Sequence, residues 1–304
     1  MSDLFPFADL ALSQRLERAE GSSNARFVES RARVVPSSGA CWIEVAGAFA
    51  MFDGVASPAT QTFGLGLSRL PAAAELDRIE AFFTERGALV HHEVSPLADE
   101  KLIPMLTGRG YRPFEFTSVM YRPIDGAGLE PASDRAGLKA GATCGGDTSP
   151  TPDRARVAQA FRPAVTVRLV EKADVEIFAG TSAAGWSHAG IEEFILAMAR
   201  VNAASEGVVL FLAELEGRPI ATAAVSIVDG IAHLAGASTI PEGRNRGAQL
   251  ALLEHRLRYA AARGCDIALM GALPGSGSQR NAERNGFRIA YTRVKWGQIS
   301  KIEI

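Results

Sequence analysis

One order of structural signals occurs twice in this chain, and it constrains the fold more than any other feature. Each copy has a helix ending at a glycine, a buried strand, a second glycine and a final run of alternating apolar and polar residues. The glycines are Gly87 and Gly110 in the first copy and Gly264 and Gly286 in the second, 23 and 22 residues apart. The strands are expected at Ala88–Val94 and Asp266–Met270, and the final runs at Phe114–Tyr121 and Ile289–Trp296. Each glycine stands where a helix C-cap needs positive φ. The repeat predicts a duplicated domain.

The strands of the second half predict a mixed sheet. Three consecutive strands are expected at Val208–Leu215, Ile220–Val228 and Ile231–Ile240, joined by the turn signals Gly217-Arg218 and Asp229-Gly230. A strand at Thr166–Val170 and helical segments around Ala173–Ala183 and Ile191–Ala203 precede them. A three-strand meander followed by strand–helix–strand is antiparallel first and parallel across the helical crossover. We therefore expect an α/β fold with mixed sheets flanked by helices.

A glycine-containing turn follows the last of these three strands, with the sequence Arg244-Asn245-Arg246-Gly247-Ala248-Gln249. It opens an amphipathic helix, whose expected apolar face is Leu250, Leu253, Leu257 and Ala261. The first N–H groups of such a helix have no partner and point at one spot. The helix macrodipole adds partial positive charge there. The turn therefore suits a ligand that carries phosphate.

The bulk composition excludes several classes of function. The chain has 304 residues, of which 47% are hydrophobic, which is typical of a folded soluble protein of about two domains. Its net charge of −2 gives no electrostatic footprint for nucleic acid or an anionic membrane. Cys41, Cys144 and Cys265 lie too far apart to indicate a disulfide framework or a thiolate zinc site. No secretory signal or membrane span is recognised, so a cytoplasmic protein is expected.

Residues 125–164 differ in composition from both flanks. They contain six glycines and four prolines, and large apolar side chains are scarce. Such a segment buries too little surface to offset its ordering entropy, which predicts a linker or a long mobile loop. An ordered loop strapped over one domain is the alternative. The expected divisions are therefore a first domain at 1–124, a linker at 125–164 and a second domain at 165–304.

Residues 165–300 resemble the GNAT family of acyl-CoA-dependent N-acetyltransferases. Arg244-x-x-Gly247-x-Gln249 is similar to the family's pyrophosphate signature [QR]-x-x-G-x-[GA], with Gln249 in place of the usual small residue. The signature follows a strand that ends Ser238-Thr239-Ile240-Pro241. The segment from Asn281 to Phe287 is similar to the family's closing GF element. Together with the repeat, the resemblance implies two tandem GNAT domains, the first a degenerate copy.

The resemblance implies acetyl-CoA as the cofactor and transfer of an acetyl or short acyl group to an amine of a small molecule. In the family, two neighbouring parallel strands splay apart and pantetheine lies in the gap. Carried over, the backbone groups of Ala237, Ser238 and Thr239 would contact pantetheine and the thioester carbonyl. The N–H groups from Arg244 to Gln249 would hold the pyrophosphate. Ser276, Ser278 and Asn281 could hydrogen-bond near the sulfur, although Asn281 is equally well explained as a turn or cap residue.

Direct attack by an amine requires a base for the ammonium proton and a donor for the developing oxyanion. His233 is the leading candidate for the base. It lies eleven positions before Arg244, on the expected cofactor strand, and imidazole titrates near neutrality. A histidine that merely packs on a strand face is the alternative explanation. Weaker candidates for the base are His188, Glu192 and Glu193.

The departing thiolate also requires an acid. The family commonly has a tyrosine four residues before the glycine of the GF element, but this chain has Ala282 there. The tyrosine role is therefore not transferred. Tyr291 is a remote alternative, and water is another source of the proton.

The first half has no equivalent phosphate loop. Its corresponding segment runs from Gly64 to Pro71, and the proline lacks the N–H that an amide array needs. We expect this half to bind no cofactor and to contribute a wall of the acceptor pocket or an interface. His91 and His92 are adjacent on a strand, point to opposite faces and cannot share a metal ion. A non-catalytic acyl-CoA-binding protein and a peptide or protein N-acetyltransferase stay open as alternatives, and so does a homodimer.

Overall fold

The computed structural model describes residues 5–124 and 165–298. The expected linker at 125–164, and with it Cys144, lies outside this part of the chain. The described elements of the first half are α1 (Leu10–Val34), β1 (Cys41–Val45), β2 (Ala48–Phe52), β3 (Gln61–Phe63), α2 (Ala73–Thr84), β4 (His92–Val94), α3 (Leu102–Gly108) and β5 (Tyr111–Pro123). Those of the second half are β6 (Val165–Leu169), α4 (Val175–Ala184), α5 (Glu192–Ala203), β7 (Val208–Leu215), β8 (Arg218–Val228), β9 (Ile231–Thr239), α6 (Ala248–Ala261), β10 (Ile267–Ala272), α7 (Gly277–Arg284) and β11 (Arg288–Gln298).

The predicted repeat is present in the fold. The order β1-β2-β3-α2-β4-α3-β5 in the first half recurs as β7-β8-β9-α6-β10-α7-β11 in the second. All four glycines of the repeat have positive φ, between 70° and 86°. The predicted mixed sheet is also confirmed, because β7, β8 and β9 pair antiparallel and β9 pairs parallel with β10.

The halves share one sheet of eleven strands, in the order β1-β2-β3-β4-β11-β5-β10-β9-β8-β7-β6. The last strand of each half lies beside a central strand of the other half: β5 pairs with β10, and β11 pairs with β4. The two exchanged strands also pair with each other along most of their length. The strands of the two halves therefore form one continuous mixed sheet. The alternation of β5 and β11 predicts strands, but it does not say which strand is the neighbour.

Two local predictions were wrong in detail. The strand expected at Ala88–Val94 is formed only at His92–Val94, although Ala88 and Val90 are buried. The turn between β7 and β8 has Glu216 and Gly217 at positive φ, so it lies one residue earlier than Gly217-Arg218. Two positive φ values match the twist of a tight hairpin, and Asp229-Gly230 forms one as predicted.

The apolar face of α6 differs from the predicted one. Its buried residues are Ala248, Leu252, Leu253, Arg256, Leu257 and Ala260. Leu250 is 45% exposed, so only Leu253 and Leu257 of the expected set face the core. The helix packs against β7, β8 and β9, and this contact sets the direction of its buried stripe.

Helix α1 was not anticipated. Asp9 caps its N-terminus by accepting a hydrogen bond from the Leu12 N–H at 2.9 Å. Its buried face, which includes Leu12, Leu16 and Phe27, also contains serines and glutamates, so the apolar stripe is weak. The helix crosses from β2 in the first half to β8 and β9 in the second. It therefore ties the two halves together.

A buried ion cluster lies under α1. Arg293 of β11 is 2% exposed and contacts three carboxylates, with nitrogen–oxygen distances of 3.2 Å to Glu17, 2.9 Å to Glu20 and 3.0 Å to Glu93. The Tyr291 hydroxyl donates to Glu17 at 3.0 Å. These residues come from α1, β4 and β11, so the cluster connects the exchanged strand to the first half.

No helix in the described ranges is long and apolar enough to cross a bilayer.

Candidate functional site

Strands β9 and β10 separate in the middle of the sheet. Their parallel ladder contains Ile231, Ala232 and His233 on β9 and ends where His233 pairs with Leu269. Beyond that point β9 runs on to Thr239 and β10 to Ala272 without pairing with each other. Residues 235 to 237 of β9 are exposed as a result. The sheet therefore has an opening that begins directly after His233.

A bulge in β9 accompanies this opening. The register with β8 shifts between Thr222 and Ala224, where Gly236 has a φ of 61°. A bulge bends the strand that carries the additional residue, and the left-handed conformation favours glycine. The buried guanidinium of Arg256 donates to the carbonyl of Ala224 at 3.2 Å. The helix behind the sheet thus holds the distorted segment in place.

The turn into α6 forms an open backbone cradle. Gly247 is the N-cap residue with a φ of 83°, and no side chain caps the first turn of the helix. A Cβ atom at Gly247 would have no described atom within 4 Å, so the space over the turn is empty. Asn245 also has positive φ, at 59°. Unpaired N–H groups and the positive end of the macrodipole therefore face this space, as the sequence predicts.

A cavity of about 930 Å³ runs between this turn, the end of β9 and the start of α7. Its lining includes nearly all of the predicted cofactor residues: Ala237, Ser238, Thr239, Arg244, Asn245, Gly247, Ala248, Gln249, Ser278 and Asn281. Arg246 is exposed in the same turn but does not line the cavity. Ser276 caps α7 by accepting from the Gln279 N–H. The structure brings these predicted residues together around one groove.

Gln249 points its side chain away from the open turn. Its amide donates to the Ser238 carbonyl at 3.0 Å and to the Thr239 hydroxyl at 2.7 Å. The Ser238 hydroxyl donates to the Ser182 carbonyl of α4. Gln249 therefore clamps the end of β9 to α6 and leaves the phosphate-sized space clear, which explains how a larger residue is tolerated at this position.

A second cavity of about 310 Å³ lies on the other side of the opening and contains His233 in its wall. Trp186 and Ala237 line both cavities, so the two meet at the exposed part of β9. Burial lowers the pKa of His233, and Glu20 opposes that shift. The residue is 9% exposed. A neutral imidazole in this position can accept a proton.

Residues 175–287 match the model of the Acetyltransferase (GNAT) family. Residues 175–287 therefore form a GNAT domain. Its fold is similar to a GCN5-related N-acetyltransferase from Kribbella flavida, at 17% identity over 90% of this chain and 95% of that chain, with a TM-score of 0.54. It is also similar to a tandem GNAT protein from the clavulanic acid biosynthesis pathway, at 12% identity over 82% of this chain and 77% of that chain, with a TM-score of 0.51. None of the curated proteins matches the sequence.

GNAT acetyltransferases take the acyl group from acyl-CoA, so acetyl-CoA is the cofactor that this match implies. The residues of the groove fit that molecule. The cradle at Gly247 has room for a pyrophosphate where a Cβ would meet nothing. The interrupted ladder between β9 and β10 leaves room for an extended pantetheine arm, which has the shape and hydrogen-bonding groups of a strand.

The other candidates for the base or the acid lie away from the point where the two cavities meet. The side chain of Ala282 is buried in the apolar core, so that position could not present an acid to the groove. Tyr291 is bonded to Glu17 in the ion cluster. Glu192 and Glu193 lie in the first turn of α5, and neither lines the His233 cavity. The side chain of His188 lies outside the described part of the chain.

In the first half of the chain the corresponding helix N-terminus is covered. Strands β3 and β4 pair only at Thr62 and His92, but the loop after β3 packs Leu65 and Leu67 into the interior. The N-terminus of α2 is covered by its own Glu75, whose carboxylate accepts from the Ala72 N–H at 2.9 Å and pairs with Arg69. A side chain therefore occupies the place that is open at α6.

Within the described residues no group of histidine, cysteine and acidic side chains could hold a metal ion.

Sequence reasoning missed the contribution of α1 to the site. Ser23, Asn24 and Phe27 line the His233 cavity from the first half of the chain. The available signal was a helix cap followed by apolar and small residues at helical spacing. The cap is Asp9, and the spaced residues are Leu12, Leu16, Ala19, Ser23 and Phe27. It identifies a helix but not the surface that the helix covers.

Proposed function

We propose that this protein is an N-acetyltransferase that moves an acetyl or short acyl group from acetyl-CoA to the amine of a small molecule. The supporting observation is the junction of the two cavities at Ala237. The open helix N-terminus lies on one side, and the buried, neutral His233 lies on the other. The first half would be a degenerate copy that binds no cofactor, with the domains divided at residues 124 and 165.

In this proposal each part of the junction has one task. Bound acetyl-CoA supplies the acyl thioester. The Arg244 N–H already donates to the Pro241 carbonyl at 3.2 Å, so the predicted amide set is reduced to the backbone N–H groups from Asn245 to Gln249, which hold the pyrophosphate. The exposed part of β9 orients the pantetheine arm. His233 accepts the proton of the attacking amine, directly or through one water molecule. No described side chain is assigned as the acid, and water would supply the proton to the departing thiolate.

The volume of the acceptor cavity favours a small molecule over a peptide. A cavity of about 310 Å³ lies at the lower end of the range for small-ligand sites. A peptide acceptor would require a long open groove between the halves, where α1 instead packs against β8 and β9. The rival function is non-catalytic binding of acyl-CoA. Measurements of CoA binding and of thiol release distinguish the two.

The experiment compares valine substitutions at two glycines, one at each end of α6. Gly247 and Gly264 both have positive φ, 83° and 73°, and a Cβ at either would meet nothing within 4 Å. Valine should therefore strain the backbone equally, by about 1–2 kcal/mol. Only Gly247→Val places a side chain in the proposed phosphate cradle. We expect it to abolish CoA binding in calorimetry, while Gly264→Val binds CoA as the wild type does.

Thiol release is then measured with acetyl-CoA and a broad panel of amines. Acceptor-dependent release by the wild type and by Gly264→Val supports the enzyme. Tight CoA binding without release for any amine would establish the non-catalytic function instead. Unchanged CoA affinity in folded Gly247→Val would refute the cofactor placement.

A further inference from the structure

We infer that the acceptor is a primary amine on an uncharged, mainly apolar body, close in size to an arylalkylamine. This inference rests on the proposed function, because it assigns the 310 Å³ cavity beside His233 to the acceptor. It commits to a chemical class that the family match leaves open. The supporting observations are the charge, the polar groups and the volume of that cavity.

The wall of the cavity contains no Asp, Glu, Lys or Arg among its described lining residues. Its large side chains are Phe27, Phe178, Trp186, Ile195, Met198 and Val208. An acceptor carrying a carboxylate or a second ammonium group would lose its hydration there and find no partner of opposite charge. Burying an unpaired charge in apolar surroundings is strongly unfavourable, whereas aromatic and aliphatic surface gains free energy on burial.

The two charges that act on His233 are engaged with each other. Glu20 and Arg293, which act on His233, form an ion pair through two hydrogen bonds of 2.9 Å each. Glu20 is 8% exposed and is not part of the cavity wall. A cationic acceptor would therefore have to break a buried pair to reach a carboxylate. The amine enters most readily in its neutral form, which is also the nucleophilic form.

The polar groups of the wall are few and neutral. Ser23 and Ser226 bond each other at 2.5 Å, which leaves little capacity for a ligand. Asn24 from α1 and Asn202 from α5 line the cavity, and neither side-chain amide bonds to any residue that the structure describes. These two amides could satisfy one hydroxyl, ether or carbonyl of the acceptor, but they cannot neutralise a charge.

The volume limits how much of the acceptor can be buried beside His233. An apolar cavity of about 150 Å³ accommodates benzene. The cavity here has about 310 Å³, roughly twice that size. A benzene ring with a short aminoalkyl chain fits this space, and so does a linear alkylamine of similar length. A multi-ring polyamine exceeds it.

The first test compares matched acceptors with the wild-type protein. Phenethylamine is paired with phenylalanine, which adds a carboxylate, and hexylamine is paired with hexamethylenediamine, which adds a second ammonium group. We expect kcat/KM to fall by about a hundredfold or more in each pair when the charge is added. Equal or higher kcat/KM for either charged partner would overturn the inference.

The second test introduces a charge into the wall. Asn202→Asp and Asn24→Asp each replace an amide by a carboxylate of the same shape, from opposite halves of the chain. We expect each variant to raise the hexamethylenediamine-to-hexylamine ratio of kcat/KM by about tenfold or more. Leu10→Glu adds the same charge to α1 at an exposed position outside the cavity and should leave the ratio unchanged.

CoA affinity and the urea unfolding midpoint are measured for all three variants. If one aspartate variant has a folding defect, these measurements reveal it, and the other aspartate variant carries the test. An unchanged ratio in both aspartate variants would contradict the assignment of the cavity. If CoA binds but no amine in any pair is acetylated, the proposed function fails and this inference fails with it. If only charged amines are acetylated, the function stands and this inference alone is refuted.

Discussion

Replacement of Glu17 by glutamine should remove a pH dependence of stability that its neighbour Glu20 does not share. The buried cluster contains the carboxylates of Glu17, Glu20 and Glu93 but only two cations, Arg293 and Lys295. One negative charge is therefore in excess. Glu17 has an oxygen, Oε2, that is buried without a hydrogen-bond partner. Burial raises the pKa of Glu17 to about 7 from an ordinary value of 4.5.

The sign and size of the effect follow from this shift. Because the pKa of Glu17 is higher in the folded state, ionisation favours the unfolded state, and stability is lost as the pH rises through about 7. One pKa unit corresponds to about 1.4 kcal/mol. Between about pH 5.5 and about pH 8.5, the wild-type protein should therefore lose about 2 kcal/mol of unfolding free energy that Glu17→Gln retains.

Glu20→Gln is the matched comparison, because Glu20 lies on the same helix and also contacts Arg293. Burial alone would raise the pKa of Glu20, but the charge and the two hydrogen bonds of Arg293 outweigh it and lower that pKa. Removing this partner from a buried guanidinium should destabilise the fold by about 3–5 kcal/mol at every pH above the ordinary glutamate range. Urea unfolding at several pH values measures both variants. Parallel stability curves for the wild type and Glu17→Gln would refute the argument.

Two further predictions concern the site. His233→Ala should lower kcat/KM by a factor that shrinks as the pH rises, since a less protonated amine needs less help from a base; a uniform loss across the pH profile would indicate a packing role. In the wild type, the acidic limb of that profile should fall below the ordinary imidazole range, because burial lowers the pKa of His233. Gly185→Ala should destabilise the fold by about 1–3 kcal/mol in urea unfolding and weaken CoA binding, because its Cβ would lie 1.9 Å from the Ser238 hydroxyl. Gly180→Ala, inside the helix that Gly185 caps and with open space around it, should instead stabilise the fold by about 0.5–1 kcal/mol, and equal effects of the two alanines would contradict the close approach.

The sequence predicts the local features of the cofactor groove well because they depend on neighbouring residues. A strand, a glycine turn and a helix in succession build the cradle at Gly247 from residues that are neighbours in the sequence. The glycines of the repeat are likewise signals that depend only on neighbouring residues. The same holds for Pro71, which lacks the N–H that a phosphate loop in the first half would need. The predicted roles of Ser238 and Gln249 could not include their mutual hydrogen bond, because it joins a strand to a helix across the turn.

The acceptor side was much less predictable, since it depends on contacts between distant segments. Phe27 and Asn24 reach the cavity only because α1 crosses from one half to the other. Leu250 belongs to an apolar pattern on the sequence, yet the packing of α6 turns it towards the cofactor groove. The exchange of β5 and β11 has no local signature, because an alternating strand can pair with either half.

The crossed placement of β5 and β11 has a consequence for how the protein is made. During synthesis, β4 emerges about two hundred residues before the segment that pairs with it, so the amino-terminal portion must wait with an unfilled edge. Closing contacts over so long a stretch of chain is slow and entropically demanding. Neither portion expressed separately would contain its full complement of strands, and the maturing polypeptide would need protection until residues 288–298 leave the ribosome.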